Sequence, residues 1–132
     1  MRRPCLFLFV LCLALLGTMP TSSASEFPFD SELMLDARPM KGSKRVPGLD
    51  IGPNGRTAIE LWCNSVEAQI VVAGRTITIM TGQRTERQCD AARMRSDDEL
   101  LATLTQVTSW RREGNVLTLL GPKTLRFYRP SN

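Results

Sequence analysis

The sequence predicts one small α+β domain, an antiparallel sheet of about eight short strands with a single α-helix. Three observations lead there. The chain has 132 residues, room for one core. Most of its second half alternates apolar and polar residues in short segments joined by tight turns. One late segment instead carries an apolar stripe at helical spacing, and no other connection is long enough for a parallel crossover.

Residues 1–24 read as an address. Arg2 and Arg3 give a positive start, Cys5 to Gly17 is a thirteen-residue apolar run, and Ser22-Ser23-Ala24 places small residues before a cut at Ser25. A spanning helix needs about 20 apolar residues, so an anchor is disfavoured. Val10 and Leu11 are too large for a lipoprotein cut before Cys12. The expectation is a cleaved, periplasmic or secreted protein. Removing the leader leaves 108 residues, fifteen Lys and Arg against thirteen Asp and Glu, and Cys63 and Cys89 as the remaining cysteines.

Ser25 to Ser31 forms a loose start, from which Phe27 and Phe29 are placed to tuck onto the domain. The domain proper runs from 32 to 129, with a tail at 130–132. Glu32–Ala37 reads as a first strand, and 38–48 as an exposed basic loop with two prolines and two glycines. Leu49–Ile51 is a short strand, followed by the turn former Pro53-Asn54-Gly55. Thr57–Cys63, Ala68–Val72 and Thr76–Thr81 alternate, with Ile59, Leu61, Cys63, Ala68, Ile70, Val72, Ile77 and Ile79 facing inward. Thr81–Cys89 is polar and has no period. The helix is expected to start at an N-cap on Ser96, with Glu99 completing a capping box and Asp97 and Asp98 in the first turn. Leu100, Leu101, Leu104 and Val107 form its apolar stripe, and it should end near Gln106. Val107–Arg112, Val116–Leu120 and Thr124–Tyr128 complete the sheet, with Leu117, Leu119, Leu125 and Phe127 inward.

The chemistry is narrowed by an absence: the sequence contains no histidine. That removes Ser-His-Asp and Cys-His units, a His general base and His-ligated zinc. Two cysteines in an oxidising compartment are most simply a disulfide, with separate buried thiols as the alternative. A redox pair is disfavoured because no Cys-x-x-Cys is present. The loop of about 27 residues that a 63–89 bond would close corresponds to roughly 3.5 kcal/mol of chain entropy. Asp97-Asp98-Glu99 reads as helix capping rather than a metal site, and the glycines at 48, 52 and 55 as turn formers rather than a phosphate loop. Cofactors are therefore expected to be absent. Nucleic acid is a poor candidate partner, since the basic residues are scattered and few aromatics lie among them.

The order of several short motifs carries more. Trp62-Cys63-Asn64 ends a strand, a hairpin follows, then Thr85-x-x-x-Cys89, a helix with Glu99-Leu100-Leu101-x-x-Leu104, and a closing strand–Gly114–strand. This order resembles the META domain, or HslJ-like, family of bacterial envelope proteins, over roughly Glu32 to Arg129. The family pattern has a glycine where Trp62 stands, a tryptophan where Leu33 or Leu35 stands, and a small residue where Gln88 stands. The resemblance implies a curved sheet with one helix packed on it. It also implies an exported, non-catalytic protein linked to envelope stress tolerance. The expected role is binding an envelope ligand or partner as a monomer; the alternative is a small secreted inhibitor or interaction protein acting through loop 38–48. Arg84, Arg87, Arg93 and Arg95 crowd the segment around Cys89 and form the candidate surface for anions, including a peripheral contact with an anionic membrane. Trp110 is expected in the core, while Trp62 is placed neither in the core nor at the surface.

Overall fold

The computed structural model describes residues 26–131 together with Gly17. Apart from Gly17, the expected leader, with its cut before Ser25, lies outside the described residues. The elements run β1 (Ser31–Leu35), β2 (Gly48–Ile51), β3 (Arg56–Glu60), β4 (Ser65–Ala73), β5 (Thr76–Arg84), α1 (Ala91–Gln106), β6 (Ser109–Glu113), β7 (Val116–Leu120) and β8 (Leu125–Tyr128). Each strand pairs antiparallel with the next. β8 then pairs with β1 through Met34↔Tyr128 and Leu35↔Phe127, so the expected curved sheet closes into a barrel.

The alternation explains the filling of that barrel. Leu33, Leu49, Ile59, Ile77, Leu117 and Phe127 come from six strands and are almost fully buried on the inner side. Every inward residue expected of the 57–81 meander is buried except Cys63 and Val72, which are half-buried. The segment before β1 also contributes: Phe27 is buried against Trp110, ring edge to face at 5.2 Å. Trp110 is core, as expected.

Turn chemistry sets the register. Gly74 and Gly114 hold positive φ in the two-residue hairpin turns after β4 and β6. Gly55 is more constrained. Its φ is +85°, its carbonyl accepts from the Ile70 N–H at 2.9 Å, and an added Cβ would lie 2.2 Å from the Ile70 carbonyl oxygen.

One join is thin. β5 and β6 share a single ladder pair, Thr76↔Ser109, with the Ile77 N–H donating to Thr108 O and the Trp110 N–H to Arg75 O. The Trp110 indole reinforces it by donating to Gly74 O at 2.9 Å. Beyond that point the strands diverge, and α1 packs along β5 and buries Leu100 and Leu104 in the core. A helix covering a strand edge removes a site for unwanted pairing.

Two sequence expectations are corrected here. The helix begins six residues earlier than expected: its N-cap is Asp90, whose carboxylate accepts from the Arg93 N–H at 2.9 Å, and Ser96 lies inside the helix. Ala91-Ala92-Arg93-Met94-Arg95 is a run of strong helix formers, and Asp90 offers a better-placed cap than the Ser96–Glu99 pair. Asp97 and Asp98 are consequently in the second turn, and the first turn holds no acid. The second correction concerns 81–89. β5 continues to Arg84, because a register shift between Val66 and Ala68 lets Val66 pair with Arg84 across a polar rim.

The glycines yield a graded expectation. Gly55→Ala should lose about 3 kcal/mol or more of stability, because strain at positive φ adds to a clash with backbone. Gly74→Ala and Gly114→Ala, with nothing within 4 Å of an added Cβ, should each lose about 1 kcal/mol. Denaturant midpoints of the three variants measure the difference.

Candidate functional site

Because successive strands are antiparallel, β1, β3 and β5 all run toward the same end of the barrel. The connections that leave them, 36–47, 61–64 and 85–90, therefore gather there with the start of α1. The Trp62-Cys63-Asn64 and Thr85-x-x-x-Cys89 motifs identified in the sequence fall in this cluster.

Cys63 and Cys89 are bonded, with Cα atoms 6.2 Å apart. Residues 61–64 make a tight turn closed by the Leu61 N–H donating to Asn64 O at 2.8 Å. The Asn64 side chain is buried and acts as a hub. Its Oδ1 accepts from Thr85 Oγ1 at 2.9 Å and from the Arg87 N–H at 2.7 Å. The same Thr85 hydroxyl accepts from the Ser65 N–H at 3.0 Å, and the Thr85 N–H donates to Ser65 O. Asn64 thus does more than begin a turn: it ties the β3–β4 turn to the segment before the helix.

Asp97 completes the arrangement, and sequence reasoning missed it. The residue is fully buried, and its two carboxylate oxygens accept from the Cys63 N–H at 2.9 Å and the Asn64 N–H at 2.8 Å. A carboxylate facing two backbone donors tolerates burial far better than an unpaired one. The signal was present in the spacing, since Asp97, Leu100 and Leu104 stand at i, i+3 and i+7 on the buried face of α1. An acid on an apolar stripe calls for a buried donor, and capping accounts for neither Asp97 nor its neighbours. Asp98 instead pairs with Arg84 at 2.6 Å, and Glu99 is exposed.

No buried side-chain nitrogen or oxygen among the described residues lacks a hydrogen-bond partner. The cluster is therefore a clasp with its polar groups turned on one another. The four arginines around it divide into two kinds. Arg84 is paired with Asp98, and Arg93 with Asp90 at 3.5 Å. Arg87 and Arg95 are exposed and have no carboxylate partner among the described residues. An open recess of about 290 Å³ beside the clasp is lined by Asn64, Arg84, Thr85, Glu86, Arg87, Gln88 and Met94. Trp62 is half-buried in the turn at this end and packs against the edge of the core.

The clasp has a measurable energetic consequence. Asp97→Ala leaves two buried N–H groups without acceptors and should destabilise the domain by about 3 kcal/mol. Cys63→Ala/Cys89→Ala should remove about 3.5 kcal/mol. Both act on residues 61–64, so a double-mutant cycle by chemical denaturation should show a coupling of at least about 0.5 kcal/mol. Strict additivity would mean that the bond and the carboxylate hold independent parts of the chain.

The comparisons with known proteins agree with this geometry. An NMR structure of a protein from Burkholderia xenovorans superposes with a TM-score of 0.66 over 79% of this chain and 84% of that one, at 15% identity, which shows a shared fold. No curated protein matches the chain. The family model for the META domain matches residues 30–132, which include all eight strands, the helix and the clasp. The chain belongs to the META domain family.

Proposed function

We propose that this META domain is exported and serves the cell envelope as a non-catalytic binding domain that contributes to stress tolerance. Its partner is taken on the outside of the barrel, at the end that carries the clasp and loop 38–48. The observation supporting this reading is where the distinctive residues are committed. Cys63, Asn64, Thr85, Cys89 and Asp97 bind one another, so the residues with the most specific chemistry hold the fold rather than face a substrate. The barrel interior is filled by side chains such as Leu49, Ile59 and Phe127, which leaves no lumen for a carried ligand. What remains for recognition is the outer surface, and its most distinctive part is the basic end.

Intact-mass analysis of the non-reduced protein from fractionated cells tests the export on which this rests. The expected species begins at Ser25, weighs two hydrogens less than the dithiol and is recovered with the envelope. A chain retaining residues 1–24, or one recovered with the cytoplasm with both thiols free, would overturn the reading.

A further inference from the structure

The charges of the domain are segregated along the barrel. Residues 37–49 hold Arg38, Lys41, Lys44 and Arg45 and no carboxylate. The topology brings this loop to the end where Arg87 and Arg95 are exposed, and the backbone at Gly42 lies against the Arg93 guanidinium, 3.6 Å from an added Cβ. None of the six cations Arg38, Lys41, Lys44, Arg45, Arg87 and Arg95 has a carboxylate partner among the described residues. Counting Arg84, Arg93, Lys123 and Arg126, this end carries ten cations. The carboxylates at this end are Asp36, Glu60, Glu86, Asp90, Asp97 and Asp98, Asp36 being paired with Arg126. Asp97 is turned inward onto two N–H groups, and Asp90 and Asp98 are held by Arg93 and Arg84. Elsewhere among the described residues, five cations meet seven carboxylates. The domain is therefore positive at one end and negative over the rest.

We infer that this end docks on the surface of an anionic phospholipid bilayer. The inference rests on the envelope reading above and specifies the partner. Charge complementarity carries it, and the character of the surface separates a bilayer from an acidic protein. A stable protein interface needs an apolar centre with aromatic anchors. The large hydrophobic side chains exposed on this domain, Phe29, Val71, Met80 and Tyr128, lie on strands or segments away from this loop cluster. The end offers flexible lysines and arginines on a glycine-containing loop, with the half-buried Trp62 among them. A headgroup layer requires mobile cations within a screening length and accepts an interfacial indole. Arg84 and Arg93, being paired, orient the helix end and contribute less than the free cations.

Sedimentation of the full chain, in the form the producing cell processes it, with phosphatidylglycerol/phosphatidylethanolamine vesicles tests the docking. Binding is expected at low salt, should be lost at about 0.5 M salt, and should be absent with phosphatidylcholine vesicles. Each cation at the surface is worth roughly fivefold in partitioning. Lys41→Ser/Lys44→Ser should therefore reduce binding about 25-fold. Arg56→Ser/Arg111→Ser, which removes the same charge away from this end, should change it less than about twofold. Absence of binding to anionic vesicles, equal binding to neutral ones, or equal losses in the two double variants would overturn the inference. Retention on envelope proteins without vesicle binding would assign this end to a protein partner and overturn it as well. The intact-mass experiment fails independently of these outcomes, so an error about export and an error about docking are told apart.

Discussion

A barrel whose strands diverge at one join needs something to occupy the gap, and here that something is a helix held by one buried carboxylate. Asp97 accepts hydrogen bonds from the Cys63 and Asn64 N–H groups and so fixes the second turn of α1 to the β3–β4 turn. With α1 in place, Leu100 and Leu104 reach the core where β5 and β6 have separated after a single ladder pair. Two backbone donors on one carboxylate compensate much of the cost of removing it from water. They also define direction, which apolar contacts alone do not. The disulfide and the Asn64–Thr85 hydrogen bond act on the same turn from the other side, through the segment that leads into the helix. Three bonds of different chemistry thus hold one four-residue turn.

How far the sequence disclosed this depended on whether the signal was local. The strands of the meander were legible because period-two alternation is a property of neighbouring residues, and Ile59, Ile70, Ile77 and Ile79 are buried as the pattern requires. Pairing of Cys63 with Cys89 was expected from the cysteine count together with the expected export. The start of the helix was misplaced because Ser96 and Glu99 mimic a capping box, whereas the actual cap, Asp90, lies one residue after a disulfide cysteine that anchors it. Asp97 was hidden for a related reason. Once assigned to a first turn, its charge had an explanation, and its place on the buried stripe was overlooked. Closure of the sheet by β8 against β1 joins residues more than ninety positions apart, and no local pattern encodes it.

The clasp also explains why the family can be recognised from so few residues. At most strand positions any apolar side chain of suitable size fills the interior, and the Burkholderia xenovorans fold is shared at 15% identity. Positions within the clasp are different. Asn64 must present an oxygen to Thr85 and to the Arg87 N–H, Thr85 must donate and accept at once, and Cys63 must reach Cys89. Such demands restrict residue type, so Cys-Asn and Thr-x-x-x-Cys stand out as motifs. The departures fall where this logic allows them. Trp62 is half-buried and packs against the core, Gln88 is exposed, and Leu33 and Leu35 both fill the core where the family pattern has a tryptophan.

Concentrating the structural demands in one turn has a further effect on the surface around it. The loop 36–47 leaves the same end of the barrel, but the clasp does not include it. Its ties are few: the Ser43 N–H to Met40 O, the Asp36–Arg126 pair at its start, and the approach of Gly42 to Arg93. A segment relieved of holding the fold is free to vary in charge at little cost to stability, since exposed cations contribute little to folding. Four cations with no carboxylate among residues 37–47 are then hard to attribute to folding, because repulsion among like charges favours mixing signs along a loop. The clasp makes the end rigid and the loop makes it positive, and a rigid end lets loosely held charges act together on a flat anionic surface.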